Sequence, residues 1–271
     1  MQKNFYCFLL LILGAFGCGS DESIPVNEPT IGKTSQLDYY VDSYDLPGPG
    51  FEPQLKITYE YNSSGSLSRY HVLTYSPTSK SFDEQRYFDF FYSDTLVTEI
   101  VGFVPGSTKP ILRHVYEYFP DGRVSKIKET NTPSGINSHA NFVYDDTNHS
   151  TKVSYTFSNG GSFQYEFYMT DGNMVTDKTT RGAQLCSDGQ YSYDDHKNPF
   201  GELGYTDYLL TNVSANNKVS ENINHVGCSF PSFIPVSYSY EYNDRGYPTL
   251  MTTFYKSGSG IGKSKREIFY R

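Results

Sequence analysis

The chain has 271 residues, a formal net charge of −8, and 26 Tyr and 19 Phe but no Trp. An acidic chain lacks the basic footprint on which phosphate contacts depend, so nucleic acid is excluded as the expected partner. The length suits one large β domain or two small ones.

The chain begins with a predicted export signal. Lys3 precedes about a dozen apolar residues, "FYCFLLLILGAF" at 5–16, which are too few for a spanning helix of about 20 residues. The residues before Cys18 resemble the lipobox of bacterial lipoproteins, although Ala15 and Phe16 depart from its usual residues. We expect residues 1–17 to be removed, Cys18 to be lipidated and residues 18–36 to form a flexible tether. The alternative is an ordinary signal peptidase site nearby.

The tether begins with an acidic stretch, "SDES" at 20–23. This stretch resembles the export signal that sends Bacteroidetes lipoproteins to the outer face of the outer membrane. The resemblance implies a lipid-anchored protein of the outer membrane that faces the cell exterior.

The body of the chain alternates in the way that β-hairpins do. In "KVSYTFSNGGSFQYEFYM" at 152–169, aromatic and polar residues alternate on both sides of Asn159-Gly160. Period-two alternation around an Asn-Gly pair is the strongest short-range hairpin signal. One face of this hairpin is aromatic and the other is polar.

A tyrosine phrase recurs as "YEYNSSGSL" from Tyr59, "YEYFPDGRV" from Tyr116 and "YEYNDRGYP" from Tyr240. Each copy ends a strand and places a glycine where a turn needs positive φ. The repeat turns are Gly65, Gly122, Gly172 and Gly246, and the repeat aromatics are Tyr59, Tyr61, Tyr116, Tyr118, Tyr168, Tyr193, Tyr240 and Tyr242. The spacing of about 25 residues corresponds to two strands per unit. We therefore predict an all-β fold: one repetitive hairpin domain over 37–271, an antiparallel meander of about 14–16 strands curled into a barrel or roll.

The tyrosine phrase resembles the YD repeat of Rhs-type cell-surface proteins. With "YSYDDHKNPF" at 191–200, the layout over 37–271 also resembles a family of Bacteroidetes lipoproteins described as porin-like β structures. The resemblance brings no catalytic residues, and the chain has too few units to enclose a toxin as Rhs shells do.

Two cysteines remain after Cys7 and Cys18 are assigned to the signal and the lipid. Cys186 and Cys228 form one pair in an oxidising compartment and are predicted to be a disulfide. The alternative is two separate buried thiols.

Periodicity leaves open which face of the barrel points outward. Three features favour aromatic residues inside: a lipid anchor is redundant for a spanning barrel, tyrosine suits an apolar belt poorly, and "EIFYR" ends in arginine. The alternative is a transmembrane β-barrel with a polar lumen.

The sequence predicts no catalytic, cofactor-binding or metal-binding residues. The expected function is a surface lipoprotein, more a binding or scaffold module than an enzyme, with a polysaccharide or an outer-membrane protein as partner. One alternative is a hydrolase of extracellular polymer whose carboxylates gather between Cys186 and Cys228. Another is assembly with other chains through exposed sheet edges.

Overall fold

The computed structural model describes residues 36–46, 50–207, 210, 214–228, 235–257 and 260–271. Within these residues, sixteen strands and one short 3-10 helix, Gly201–Leu203, form the fold. The strands are β1 Leu37–Leu46, β2 Gly50–Tyr61, β3 Leu67–Ser76, β4 Ser81–Ser93, β5 Leu96–Phe103, β6 Leu112–Tyr118, β7 Val124–Asn131, β8 Asn137–Asp145, β9 Ser150–Phe157, β10 Ser162–Thr170, β11 Asn173–Arg181, β12 Gln184–Lys197, β13 Asn216–His225, β14 Pro235–Tyr242, β15 Pro248–Ser257 and β16 Gly260–Tyr270.

The strands form one closed antiparallel barrel. Each strand pairs with its neighbours in sequence, and β1 pairs with β16 from Leu37 opposite Tyr270 to Tyr44 opposite Ser264. The predicted meander of about 14–16 strands is confirmed, and of the two shapes considered the chain adopts the barrel. Closure pairs both edge strands. Assembly through open sheet edges is therefore not supported by this fold.

The hairpin predicted around Asn159-Gly160 consists of β9 and β10. Tyr155 lies opposite Phe163 and Val153 lies opposite Tyr165 across this pair of strands. Gly160 has a φ of +88° in the turn, a conformation that costs other L-residues steric strain. Because alternation has a period of two, the aromatic set of both strands faces the same side.

That side is the lumen. The buried core runs around the barrel, from Tyr40 in β1 and Tyr59 in β2 to Phe142 in β8 and Phe167 in β10. Rings from neighbouring strands pack on one another; Tyr70 and Phe88, for example, are stacked with centroids 4.6 Å apart. Such cross-strand aromatic pairs are a main source of sheet stability.

The connection between β12 and β13 also lies in the lumen. We call its described residues, 198–207, 210, 214 and 215, the plug segment. Phe200 meets Tyr40 of β1 edge-on at 5.7 Å, and Tyr205 packs at 4.9 Å on Phe90 of β4. Since β1 and β4 are not neighbours of β12 or β13 in the barrel, the segment crosses the interior.

The opposite faces of the strands carry charges. Four ion pairs each bridge two adjacent strands: Arg69–Asp89, Arg113–Glu99, Lys128–Glu117 and Lys152–Glu166. Glu60 also pairs with His71 of the next strand, 2.8 Å apart. Apolar side chains are exposed on these faces as well, among them Phe91 at 49% and Val143 at 61%. Among the described residues, no helix is long and apolar enough to cross a membrane.

Candidate functional site

The tyrosine repeat forms one rim of the barrel. Tyr59 and Tyr116, the first tyrosines of two copies, are 4% and 6% exposed in the core. The second tyrosines, Tyr61 and Tyr118, follow an irregularity of register, between residues 60 and 61 and between residues 117 and 118. A bulge re-aims the side chain that follows it.

Seven tyrosines make a recurrent bond that the sequence did not reveal. At the end of an even-numbered strand, the tyrosine hydroxyl donates to a backbone carbonyl near the start of the preceding odd-numbered strand. The donors and acceptors are Tyr61 to Leu37 (2.8 Å), Tyr92 to Leu67 (2.7 Å), Tyr118 to Val97 (2.5 Å), Tyr144 to Val124 (3.1 Å), Tyr193 to Met174 (2.6 Å), Tyr240 to Lys218 (2.8 Å) and Tyr270 to Pro248 (2.8 Å). We call these bonds the tyrosine latches. Tyr168 differs, because its hydroxyl bonds to Glu166, and Tyr242 donates to Asp194.

The repeat glycines lie in the turns that follow. Gly65, Gly122, Gly172 and Gly246 have φ of +86°, +86°, +72° and +78°. In the first and last of these turns an asparagine side chain organises the loop: Asn62 Oδ1 accepts from the Ser66 amide, and Asn243 Oδ1 accepts from the Tyr247 amide. These turns fix where each next strand starts.

A cavity of about 160 Å³ lies inside the barrel, between the plug segment and the wall built by β12 to β16. Two cations, Lys218 and Arg266, line it together with tyrosine and phenylalanine rings and three asparagines. Tyr193, Tyr240 and Phe200 are among the rings. We call this space the lumen cavity.

Arg266 is held in place on three sides. Its Nε and Nη2 donate to the two carboxylate oxygens of Asp42 at 2.7 and 2.9 Å. The guanidinium also lies 4.1 Å from the ring of Tyr40 and 5.4 Å from that of Phe200. Burial is the largest effect and works against the charge, but the attraction and hydrogen bonds of Asp42, together with Tyr40 and Tyr59, outweigh it, so the pKa of Arg266 lies above its ordinary value. The cation is therefore permanent and its direction is fixed.

Lys218 is the second fixed cation. Its Nζ donates to Glu221 Oε2 at 2.8 Å and lies 4.5 Å above the Tyr191 ring. Tyr191 in turn donates to Asp177 Oδ1 at 2.6 Å. Burial raises the pKa of the Asp177 carboxyl, an effect that the bond from Tyr191 opposes. Tyr238 bonds to Glu221, and burial, followed by the charge of Glu221, raises the pKa of Tyr238 well above its usual value.

The acids of this network do not line the cavity. Among the described residues that line the cavity, none is an aspartate or a glutamate. Glu221 is bound by Lys218, and Asp177 by Tyr191. A polymer hydrolase needs two carboxylates that flank a cleft, so this arrangement does not favour the hydrolase alternative. In the described part of the chain, no group of three or more His, Cys, Asp or Glu side chains is placed to hold a metal.

The remaining predicted residues lie away from the cavity. Cys186 and Cys228 form a disulfide that ties the start of β12 to the segment after β13, with Cα atoms 4.8 Å apart. Cys18, with the signal at 1–17 and almost all of the tether, lies outside the described residues. Neither Arg266 nor Lys218 was predicted, because nothing in the sequence pairs Arg266 with Asp42, 224 residues away.

A closed meander of sixteen strands with a filled lumen defines the class of the fold as a porin-like β-barrel. The solved structure of a porin-like protein from Bacteroides uniformis ATCC 8492 shares it, at 11% identity and a TM-score of 0.58, over 88% of this chain and 99% of that one. A porin-like protein from Bacteroides vulgatus ATCC 8482 matches over the same shares at 13% identity and a TM-score of 0.43. A TcdB2–TccC3–Cdc42 structure matches at 12% identity and a TM-score of 0.34, over 81% of this chain and 14% of that one.

The first of these likenesses shows a common fold and nothing more, and the other two are too weak to support an argument. No protein-family model matches the chain. No curated protein matches it in sequence.

Proposed function

We propose that the chain is a lipid-anchored protein of the outer membrane whose barrel stands outside the bilayer and serves as a binding or scaffold module. In this proposal residues 1–17 are the signal, Cys18 carries the lipid, residues 18–36 are the tether and residues 37–271 are the domain. Its partner is a polysaccharide or another envelope protein at the cell surface.

One observation carries the proposal: aromatic and aliphatic side chains fill most of the lumen, and ion pairs cross the outer faces of the strands. Ion pairs such as Arg69–Asp89 and Lys152–Glu166 bridge the outer faces of neighbouring strands. A lysine or arginine that faces lipid costs up to about 2–4 kcal/mol at the bilayer midplane. The core and the plug segment occupy the space that a channel would need. A barrel of this kind is better suited to water than to spanning, and an anchor would keep it at the membrane.

The strand order supports a definite orientation. The chain enters β1 at Leu37 and leaves β16 at Tyr270, opposite each other on the rim of the tyrosine latches. A tether that ends at residue 36 therefore attaches to this rim. The opposite rim, with the turns at 77–80, 104–111, 132–136 and 158–161, would face away from the membrane.

Intact mass and detergent partitioning of the protein from its native membrane, with protease shaving of whole cells, test the proposal. We expect acyl chains on Cys18 and a shaved domain that stays in solution without detergent. Cys18→Ser should release the protein from the membrane, whereas Cys7→Ser, within the predicted signal, should leave anchoring unchanged. A mature chain that begins elsewhere, or a shaved domain that still requires detergent, would overturn the proposal.

A further inference from the structure

We infer that the lumen cavity is a binding site for a small carboxylate. The inference rests on the proposed function in taking the barrel as a binding module, and it adds the site and the class of ligand. The starting point is that both charged groups on the described cavity wall, Lys218 and Arg266, are cations, while their carboxylate partners do not line the cavity.

Both cations keep hydrogen-bond donors that their partners do not use. Asp42 takes Nε and Nη2 of Arg266, which leaves Nη1; Glu221 takes one of the three N–H groups of Lys218. Within the described part of the chain, no oxygen accepts from these remaining donors, although aromatic rings lie close to both cations. The two side chains are 23% and 29% exposed although they face the inside of the barrel. A ligand that supplies acceptor oxygens would complete both.

The amides of the wall do not compete for this role. Asn198 Nδ2 donates to the Ser214 carbonyl at 3.1 Å, and Asn216 Nδ2 donates to the His196 carbonyl at 3.1 Å. The first bond joins two residues of the plug segment, and the second joins β13 to β12. Each of these amides keeps one further N–H group but carries no charge, so the charged donors of the cavity wall are the two cations, which suits a negatively charged group over a neutral one.

The rest of the cavity wall limits the size of the ligand and favours an apolar ring beside its charged group. A cavity of about 150 Å³ admits benzene, so a space of about 160 Å³ accepts a molecule of roughly six to ten non-hydrogen atoms. The rings of Phe200, Tyr193 and Tyr240, with Met251 and Ile268, provide apolar contact for a carbon ring. A carboxylate on a compact ring matches both parts.

Calorimetric titration of the full chain with benzoate and benzamide tests the inference. Benzoate should bind at least about tenfold more tightly than benzamide, its neutral counterpart, because a hydrogen bond to a charged group contributes about 1.5–3 kcal/mol.

Variants locate the site. Lys218→Met should weaken benzoate about 10- to 100-fold, and Met251→Phe, which fills the cavity without touching the charges, should abolish binding. The matched control Lys178→Met removes an exposed lysine of β11 and should bind as the parent does. Equal affinity for benzamide, full binding by Met251→Phe, or no binding of any probe would overturn the inference. A negative titration would leave the results for acylation of Cys18 and for protease shaving unchanged. Failure of this inference can therefore be told apart from failure of the proposed function.

Discussion

The tyrosine latches predict that removing one tyrosine hydroxyl lowers the free energy of unfolding. The loss should be larger at a latch tyrosine than at a tyrosine outside the latches. Tyr61, Tyr92, Tyr118 and Tyr144 each donate to a carbonyl of the neighbouring strand at 2.5–3.1 Å. Replacement by Phe keeps the ring and removes one hydrogen bond, worth about 1 kcal/mol net. The four lie on separate hairpins, so their effects should nearly add, to about 4 kcal/mol for the quadruple variant.

Thermal unfolding followed by circular dichroism measures this loss. A change of 4 kcal/mol in the free energy of unfolding corresponds to about 8–16 °C in Tm for a domain of this size. The matched control is Tyr168→Phe, since Tyr168 ends β10 in the same repeat but bonds to Glu166 instead of a strand carbonyl. We expect this control to change stability by less than about 0.5 kcal/mol. If Tyr118→Phe is as neutral as Tyr168→Phe, the latches contribute nothing and the repeat retains tyrosine for its ring alone.

Three further predictions concern the rest of the fold. Loss of the disulfide in the Cys186→Ser, Cys228→Ser double variant should cost about 4 kcal/mol, because the bond closes a loop with a sequence separation of 42; reductant should lower the urea midpoint of the parent and leave that of the variant unchanged. Gly102→Ala should destabilise the barrel by about 1–3 kcal/mol, because the new Cβ would lie 2.7 Å from the Phe88 ring, and a neutral result in the same assay would contradict this packing. Burial raises the pKa to about 12 for Tyr92, Tyr118, Tyr165 and Tyr193. Since these folded-state values exceed the value of about 10 in an unfolded chain, the stabilisation is complete below pH 10 and is lost as the pH rises towards 12. Tyrosinate absorbance should therefore appear together with unfolding in this range, and full ionisation of a still-folded barrel at pH 10 would refute the assignment.

The sequence predicted the hairpins because their signals are local. Alternation around Asn159-Gly160 and the glycine after each tyrosine phrase are readable within a dozen residues. The hydrolase alternative places its acids in the irregular region between Cys186 and Cys228, part of which is the plug segment, with Phe200 and Leu203 in the core. Its burial depends on the size of the lumen, which no local pattern encodes. The bond between Arg266 and Asp42 was invisible for the same reason, since it exists only once the barrel closes.

The pairing of β1 with β16 also imposes an order on folding. Hairpins such as β9–β10 need only neighbouring residues and can form early. The last ladder instead joins the two ends of the domain; the salt bridge between Asp38 and Arg271 there spans 233 residues. Contacts of such long sequence separation form slowly because a long loop must first be closed. During synthesis, one edge of β1 therefore stays unpaired until β16 has been made. A chaperone that covers this edge would act on the step of folding that closes the longest loop.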